Sequence, residues 1–165
     1  MSFKEVSVKE LTINPFSKIG EQWMLVTSGD EGKWNTMTAS WGFMGVMWGR
    51  NVAETVIRPN RYTYEFMEKN ELFTLSFFGS EYRKALAFCG SHSGRDCDKA
   101  KETGLTPIFI DGTSAFEEAE LILVCRKLYA QDMDISLLAE DARGAYEKEP
   151  MHKAYYGEII KALVK

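Results

Sequence analysis

Two arginines flank a proline–asparagine pair, Arg58-Pro59-Asn60-Arg61, and Tyr62-Thr63 follows directly. Before them, Val52 to Ile57 reads as a strand; after them, Asn60 reads as the N-cap of a helix running to about Asn70. A strand-to-helix junction leaves backbone amides unsatisfied and places the positive end of the helix dipole there, so an anion is favoured. Arginine suits a two-pronged grip on phosphate, and the Thr63 hydroxyl can add a third donor. Two accounts fit these residues: an anion site, or solvated arginines paired with Glu65 or Glu68.

A second segment, Asn35 to Trp41, reads as a strand whose alternation is unusual. Thr36, Thr38 and Ser40 fall on one face, and Met37, Ala39 and Trp41 on the other. A row of hydroxyls either meets solvent or lines a polar ligand. Trp34, Trp41 and Trp48 recur every seven residues. Residues seven apart on a strand lie on opposite faces, so a core position is expected for at least one of them.

Other chemistries are poorly served. The chain has no G-x-G-x-x-G, no Walker loop, no H-E-x-x-H and no G-x-S-x-G, and Gly42, Gly45 and Gly49 have the wrong spacing for a dinucleotide fingerprint. Neither histidine, His92 or His152, has a partner in sequence. Cys89, His92, Cys97 and Cys125 supply the donor types of a Cys₃His zinc site, but no tight C-x-x-C pair anchors one. Cys89 and Cys125 sit in apolar surroundings, where cysteine acts as a small buried hydrophobe, and no metal is expected.

The elements that position these residues follow from pattern. Pro15 after Asn14 starts a short helix ending at Gly20. Strands are expected at Trp23 to Thr27, Leu72 to Phe78, Pro107 to Ile110, Ser114 to Glu118 and Leu121 to Asp132, with Asp111-Gly112 as a hairpin turn. Ser80 is expected to cap a helix from Glu81 to about Phe88. Gly90 to Asp98 reads as loop, and Asp98 to Thr103 as a short helix stopped by Gly104. At the C-terminus Tyr156, Ile159, Ile160, Leu163 and Val164 carry helical spacing. Strands interrupted by few helices favour a β-barrel over a doubly wound sheet.

Length and balance narrow the classes further. At 165 residues without linker or repeat, the chain is expected to form one domain over 1–165 with a core that needs no staples. A net charge of −4 argues against a nucleic-acid coat or a membrane-surface protein, while leaving room for an anionic small ligand held by local arginines. The longest apolar stretch, Leu121 to Cys125, is far too short for a membrane helix. Three cysteines cannot all pair, and the N-terminus carries no signal-like run, so a reducing cytoplasm is expected.

Taken together the motifs resemble the flavoredoxin and flavin reductase-like family, built on the FMN-binding split barrel. Asn35-Thr36-Met37-Thr38-Ala39-Ser40-Trp41 resembles its flavin-contacting strand. Arg58 to Tyr64, Phe73 to Phe78, Cys89 to Asp96 with Lys99, and Ala119 to Asp132 follow in the family's order. The resemblance covers nearly the whole chain. It implies a mainly β fold with peripheral helices, a homodimer, and FMN near the subunit interface. Tyr155-Tyr-Gly-Glu-Ile-Ile resembles the family's closing strand, which outweighs the helical spacing there. Gly42-Phe43-Met44-Gly45 is bulkier than the glycine-rich turn expected by resemblance, and with Trp41 would limit access to one flavin face.

Carried onto this sequence, the 35–41 strand would meet the ring edge. Arg58, Asn60, Arg61 and Thr63 would hold the phosphate, and Ser93, Gly94, Arg95 and Lys99 would form a third contact set. For Arg95 and Lys99, solvated surface charge is the competing account. No catalytic side chain is implied, because the cofactor carries the redox chemistry. Three functions follow: an oxidoreductase taking hydride from NAD(P)H for flavin or ferric acceptors, an electron carrier with protein partners, or a ligand-binding module without turnover.

Overall fold

The computed structural model describes residues 2–165. In chain order the elements are β1 (Lys4–Val6), α1 (Pro15–Gly20), β2 (Met24–Gly29), β3 (Trp34–Ala39), β4 (Gly42–Met47), β5 (Arg50–Ile57), α2 (Tyr62–Lys69), β6 (Leu72–Phe77), α3 (Arg83–Ser91), α4 (Lys99–Thr103), β7 (Pro107–Ile110), β8 (Thr113–Phe116), β9 (Leu121–Asp132) and β10 (Lys153–Val164).

One antiparallel sheet runs β3-β2-β6-β9-β10-β5-β4, with β1 laid against the end of β10. Its two edge strands, β3 and β4, are consecutive in the chain and separated only by Ser40 and Trp41. Three Cα steps span at most ~11 Å, so the sheet has to roll until its edges nearly meet. The edges do not pair with each other, which leaves the barrel split at Ser40-Trp41. This is the fold class expected from the sequence.

Inside the roll, Met24, Val26, Ala53, Ile57, Phe73, Leu75, Phe77, Leu123, Cys125 and Tyr155 form one core. The alternate residues of the same strands, Leu25, Ile122 and Val124, face outward and join Phe78, Leu86, Cys89, Ala100 and Phe116 in a second core beneath α3, α4 and the β7–β8 hairpin. Cys89 and Cys125 therefore belong to different cores.

The closing strand β10 forms as the resemblance implied. The register shift at Tyr156/Gly157 puts its extra residue, Leu128, on β9. The shift at Ile159/Lys161 adds Ile160 to β10 and breaks the two-residue alternation there, so the inward residues run Tyr155, Gly157, Ile159, Ala162. The helix-like spacing comes from apolar residues on both faces of this bulged strand, with Ile159 and Val164 on the inner core, Leu163 on the second core and Ile160 exposed. Gly157 is required there, because a Cβ would stand 2.6 Å from Phe73 Cζ.

Several boundaries differ from expectation. Residues 42–45 are not a turn but the first four residues of β4, paired with β5 from Gly42↔Thr55 onward. The cap of α2 is Arg61 rather than Asn60, whose amide is used elsewhere. Ser80 opens a short 3₁₀ turn, and α3 begins only at Arg83 and runs on through Gly90 and Ser91. The hairpin turn forms as expected, with Asp111 and Gly112 both at positive φ (51° and 85°). Among the described residues no helix is long and apolar enough to cross a membrane.

Candidate functional site

The split of the barrel opens into a polar cleft of about 440 Å³, within the ~300–1,000 Å³ usual for small-molecule sites. Its floor is β3 from Asn35 to Ala39, continued by Ser40 and Trp41; one wall is Arg58 to Thr63, the opposite wall is Cys89 to Gly94, and His152 stands at one end. Three of the predicted contact groups thus converge, although they are far apart in sequence.

At the α2 end the groups are cationic. The Arg58 guanidinium is mostly buried: Nε donates to His152 Nε2 at 3.3 Å and Nη2 to the Ala145 carbonyl at 3.4 Å. Nη1 lies 3.5 Å from a Glu149 carboxylate oxygen, yet it is buried with no hydrogen-bond partner among the described residues. Asn60 Nδ2 donates to the same Glu149 at 3.2 Å. That bond, with the Arg58 and Arg61 charges, holds the Glu149 carboxyl below its ordinary range. Arg61 is exposed and makes no ion pair among the described residues. Glu65 pairs with Arg95 and Glu68 with Lys153, so neither of the carboxylates four to ten residues away neutralises the two arginines.

His152 is held neutral. Burial, reinforced by the nearby Arg58 and Arg61 charges, pushes its pKa down to about 4. Since arginine only donates, Nε2 is an acceptor, and the ring proton sits on Nδ1, 2.7 Å from the Tyr146 hydroxyl. Trp41 packs against the same imidazole with centroids 5.1 Å apart.

The middle of the cleft is shaped by close backbone approach. Asn35 Nδ2 donates to Thr63 Oγ1 at 2.8 Å, tying β3 to α2. A Cβ on Gly94 would collide with Asn35 Oδ1 and crowd Tyr62, so only glycine lets this wall come so near the floor. A Cβ on Gly90 would stand 3.2 Å from Thr38 Cβ, a tight contact rather than an overlap.

The predicted hydroxyl row divides. Thr36 is turned away from the cleft and its hydroxyl meets Thr27 Oγ1 at 2.8 Å and the Val26 carbonyl. Thr38 lines the cleft, but its hydroxyl donates to the Leu86 carbonyl. Ser40 lines it at the split. Lys99 is buried, and its ammonium donates to the Thr36 carbonyl at 2.8 Å and the Cys89 carbonyl at 2.7 Å, binding β3 to α3. Burial lowers its pKa. Arg95 does not line the cleft; it lies over the Tyr62 ring and pairs with Glu65 at 2.5 Å. Ser93 and Gly94 are on the wall as expected.

Sequence reasoning missed His152, Tyr62 and Val56 on the lining and the Tyr146–His152 pair behind it. Tyr62 adjoins the arginine pair and was within reach of that motif. His152 meets Arg58 across 94 residues and carries no local signal.

The cleft thus joins an extended floor along β3 to a cationic end at Arg58 and Arg61, with Asn60 and Thr63 beside them. Residues 16–161 match the family model described as the flavin reductase like domain. The fold is similar to flavoredoxin from Methanosarcina acetivorans (21% identity, TM-score 0.71, covering 94% of this chain and 75% of that one). It is also similar to an FMN-binding domain of a flavin reductases-like enzyme from Shewanella baltica (16%, TM-score 0.71, 99% and 77%). A third likeness is to the NADH:FAD oxidoreductase of Streptomyces globisporus (15%, TM-score 0.67, 87% and 75%). Comparison with the curated proteins gives no match. The match to the family model spans nearly the whole chain, and the chain belongs to the flavin reductase-like domain family.

Proposed function

We propose that the cleft binds FMN and that the protein is an FMN-dependent oxidoreductase. The observation that carries this is Arg58 Nη1, a buried cationic N–H that among the described residues makes no hydrogen bond and only a 3.5 Å ion-pair contact with exposed Glu149, beside the start of α2 and an Arg61 that makes no ion pair among them. A phosphate there would supply a hydrogen-bond acceptor for it. The ring would lie along Met37 to Trp41 beneath the Cys89–Gly94 wall, with Gly94 permitting its close approach. Bound FMN would supply the two-electron redox chemistry. The chain's own contribution is to bind and orient it: Arg58 fixed by His152, the two walls clamped to β3 by Asn35–Thr63 and Lys99.

NAD(P)H as hydride donor and flavin or ferric iron as acceptor belong to the same proposal. They are supported by the family and by a cleft that stays open at the split. A homodimer is proposed as well. β4 is a free sheet edge whose Val46 and Met47, with Trp48 of the following turn, leave apolar surface exposed. Sedimentation near twice the 18.8 kDa chain mass is expected.

Purified protein should be yellow, or turn yellow with added FMN, and acid precipitation should release FMN rather than FAD. Failure to bind FMN in a titration overturns the reading. If FMN binds but neither NADH nor NADPH bleaches it anaerobically while dithionite does, an electron carrier with protein partners replaces the reductase.

A further inference from the structure

A second cavity, about 470 Å³, lies on the other side of the split and shares Ser40, Trp41 and Val56 with the polar cleft. Its walls are Phe16 and Ile19 of α1, Phe43 and Met44 of β4, and Met133 and Tyr146 of the β9–β10 connection. Phe43 and Phe16 are left largely exposed around it, at 70% and 86%. Into this apolar space β5 delivers one ionisable group that the cleft does not use, Glu54.

Glu54 is out of place by every local rule. It stands on the face of β5 that Val52 and Val56 also occupy, directly opposite Phe43 on β4 and Tyr156 on β10. The residue is 5% exposed, Oε2 is sealed from solvent without a hydrogen-bond partner, and no ion pair reaches it among the described residues. Burial alone raises its pKa to about 7. An unpaired carboxyl in an apolar wall is costly, and a cation delivered by a ligand is what would offset that cost. The aromatic rings beside it supply the remaining recognition for an ammonium, because their negative faces attract cations.

We propose that this cavity is a binding site for a small organic ammonium with an aromatic or alicyclic body, its charge paired with the Glu54 carboxylate and its body against Phe16, Trp41, Phe43 and Tyr146. A molecule seated there touches Trp41, which also lines the polar cleft, so the site lies beside whatever the cleft holds. The inference stands on Glu54 and the apolar walls and does not depend on the identity of the cofactor.

The test is calorimetric titration of the purified protein, as isolated and after loading with FMN, with phenethylammonium, 3-phenylpropionate and 2-phenylethanol. Phenethylammonium should bind saturably in both preparations, roughly tenfold or more tighter than the carboxylate of similar shape. Glu54→Gln should weaken phenethylammonium by a similar factor and leave 2-phenylethanol within about threefold, with unchanged circular dichroism showing that the variant folds. Phe43→Ala should weaken all three probes that bind. Equal binding of the cation and the anion overturns the proposal. So does a Glu54→Gln variant that binds phenethylammonium as well as the parent, or a protein that binds no probe because a second copy of the chain covers the face.

Discussion

Arg58 and His152 stand one step beyond the Ile57↔Lys153 rung of the β5–β10 ladder and are joined by a hydrogen bond of 3.3 Å from Nε to Nε2, linking the end of β5 to the residue just before β10. The bond does two things at once. It fixes the guanidinium in the cleft with one buried N–H left over, and it decides the histidine tautomer, which turns the Nδ1 proton toward Tyr146. Tyr146 belongs to the long β9–β10 connection, so the same chain of bonds holds that connection at the cationic end of the cleft.

Arg58→Ala is therefore expected to weaken FMN by roughly 10- to 150-fold, the worth of a charge-assisted contact of ~1.5–3 kcal/mol. Riboflavin, which lacks the phosphate, should lose far less. His152→Ala should follow the same pattern in milder form, since it frees the guanidinium without removing it. Fluorescence titration of both flavins against both variants checks this; equal losses for FMN and riboflavin would move the phosphate away from Arg58.

A second expectation concerns pH, where His152 and Glu54 oppose one another. His152 has its folded pKa depressed from 6.5 to about 4, so its neutral ring contributes stability above pH 6.5 that is lost as pH falls toward 4. Glu54 has its folded pKa raised from 4.5 to about 7, so the folded state is favoured below pH 4.5 and loses stability as pH rises toward 7. Between about pH 4.5 and 6.5 the two slopes cancel. Glu54→Gln should unmask the histidine. Its stability relative to the parent should grow by about 3 kcal/mol from pH 4.5 to above 7, because each pH unit in that window is worth ~1.4 kcal/mol. Urea denaturation across the same range measures it, and a flat difference would mean that Glu54 titrates normally.

The β-barrel was readable because strand alternation, the Asp111-Gly112 turn and the glycine and proline stops are local signals. So was the cationic wall of the cleft, since Arg58, Arg61 and Thr63 lie within six residues. What stayed hidden is set by distance in the chain or by bulges. His152 is defined by a residue 94 positions away, and β10 mimicked a helix because the bulge at Ile160 and apolar residues on both faces disturb its alternation. The hydroxyls of Thr36 and Thr38 looked like ligand groups because sequence shows a donor but not the carbonyl it already satisfies.

Lys99 illustrates the same point and yields a third expectation. The family resemblance groups it with the contact residues, yet its ammonium sits on the Thr36 and Cys89 carbonyls, so its first effect is on the wall of the cleft. Lys99→Met keeps the apolar stem and strands two buried acceptors. A loss on the order of 2–6 kcal/mol in urea denaturation is expected, from ~1–3 kcal/mol for each of the two unsatisfied groups. FMN and riboflavin should weaken together, unlike the split seen at Arg58. A stable variant with a selective FMN defect would instead make Lys99 a phosphate ligand.

The last expectation separates Trp41 from Phe43. Sequence alone offers both as limits on access to the flavin. In the fold, Phe43 is on the second strand of the split and lines only the apolar cavity, whereas Trp41 lines both cavities and packs on His152. A hydride donor has to stack on the ring with reacting atoms ~3–3.5 Å apart. With no separate dinucleotide fingerprint in the chain, it must enter through this same opening, which implies weak nicotinamide affinity and ping-pong kinetics. Trp41 is 46% exposed at that opening and is the side chain in the way. Trp41→Ala should speed anaerobic bleaching of the bound flavin by NADH or NADPH, while Phe43→Gly should leave the rate unchanged. Stopped-flow mixing at several nicotinamide concentrations reads both the rate and the affinity. If Phe43→Gly accelerates bleaching and Trp41→Ala does not, the donor approaches from the apolar side, and the indole is a wall of the flavin site rather than its gate.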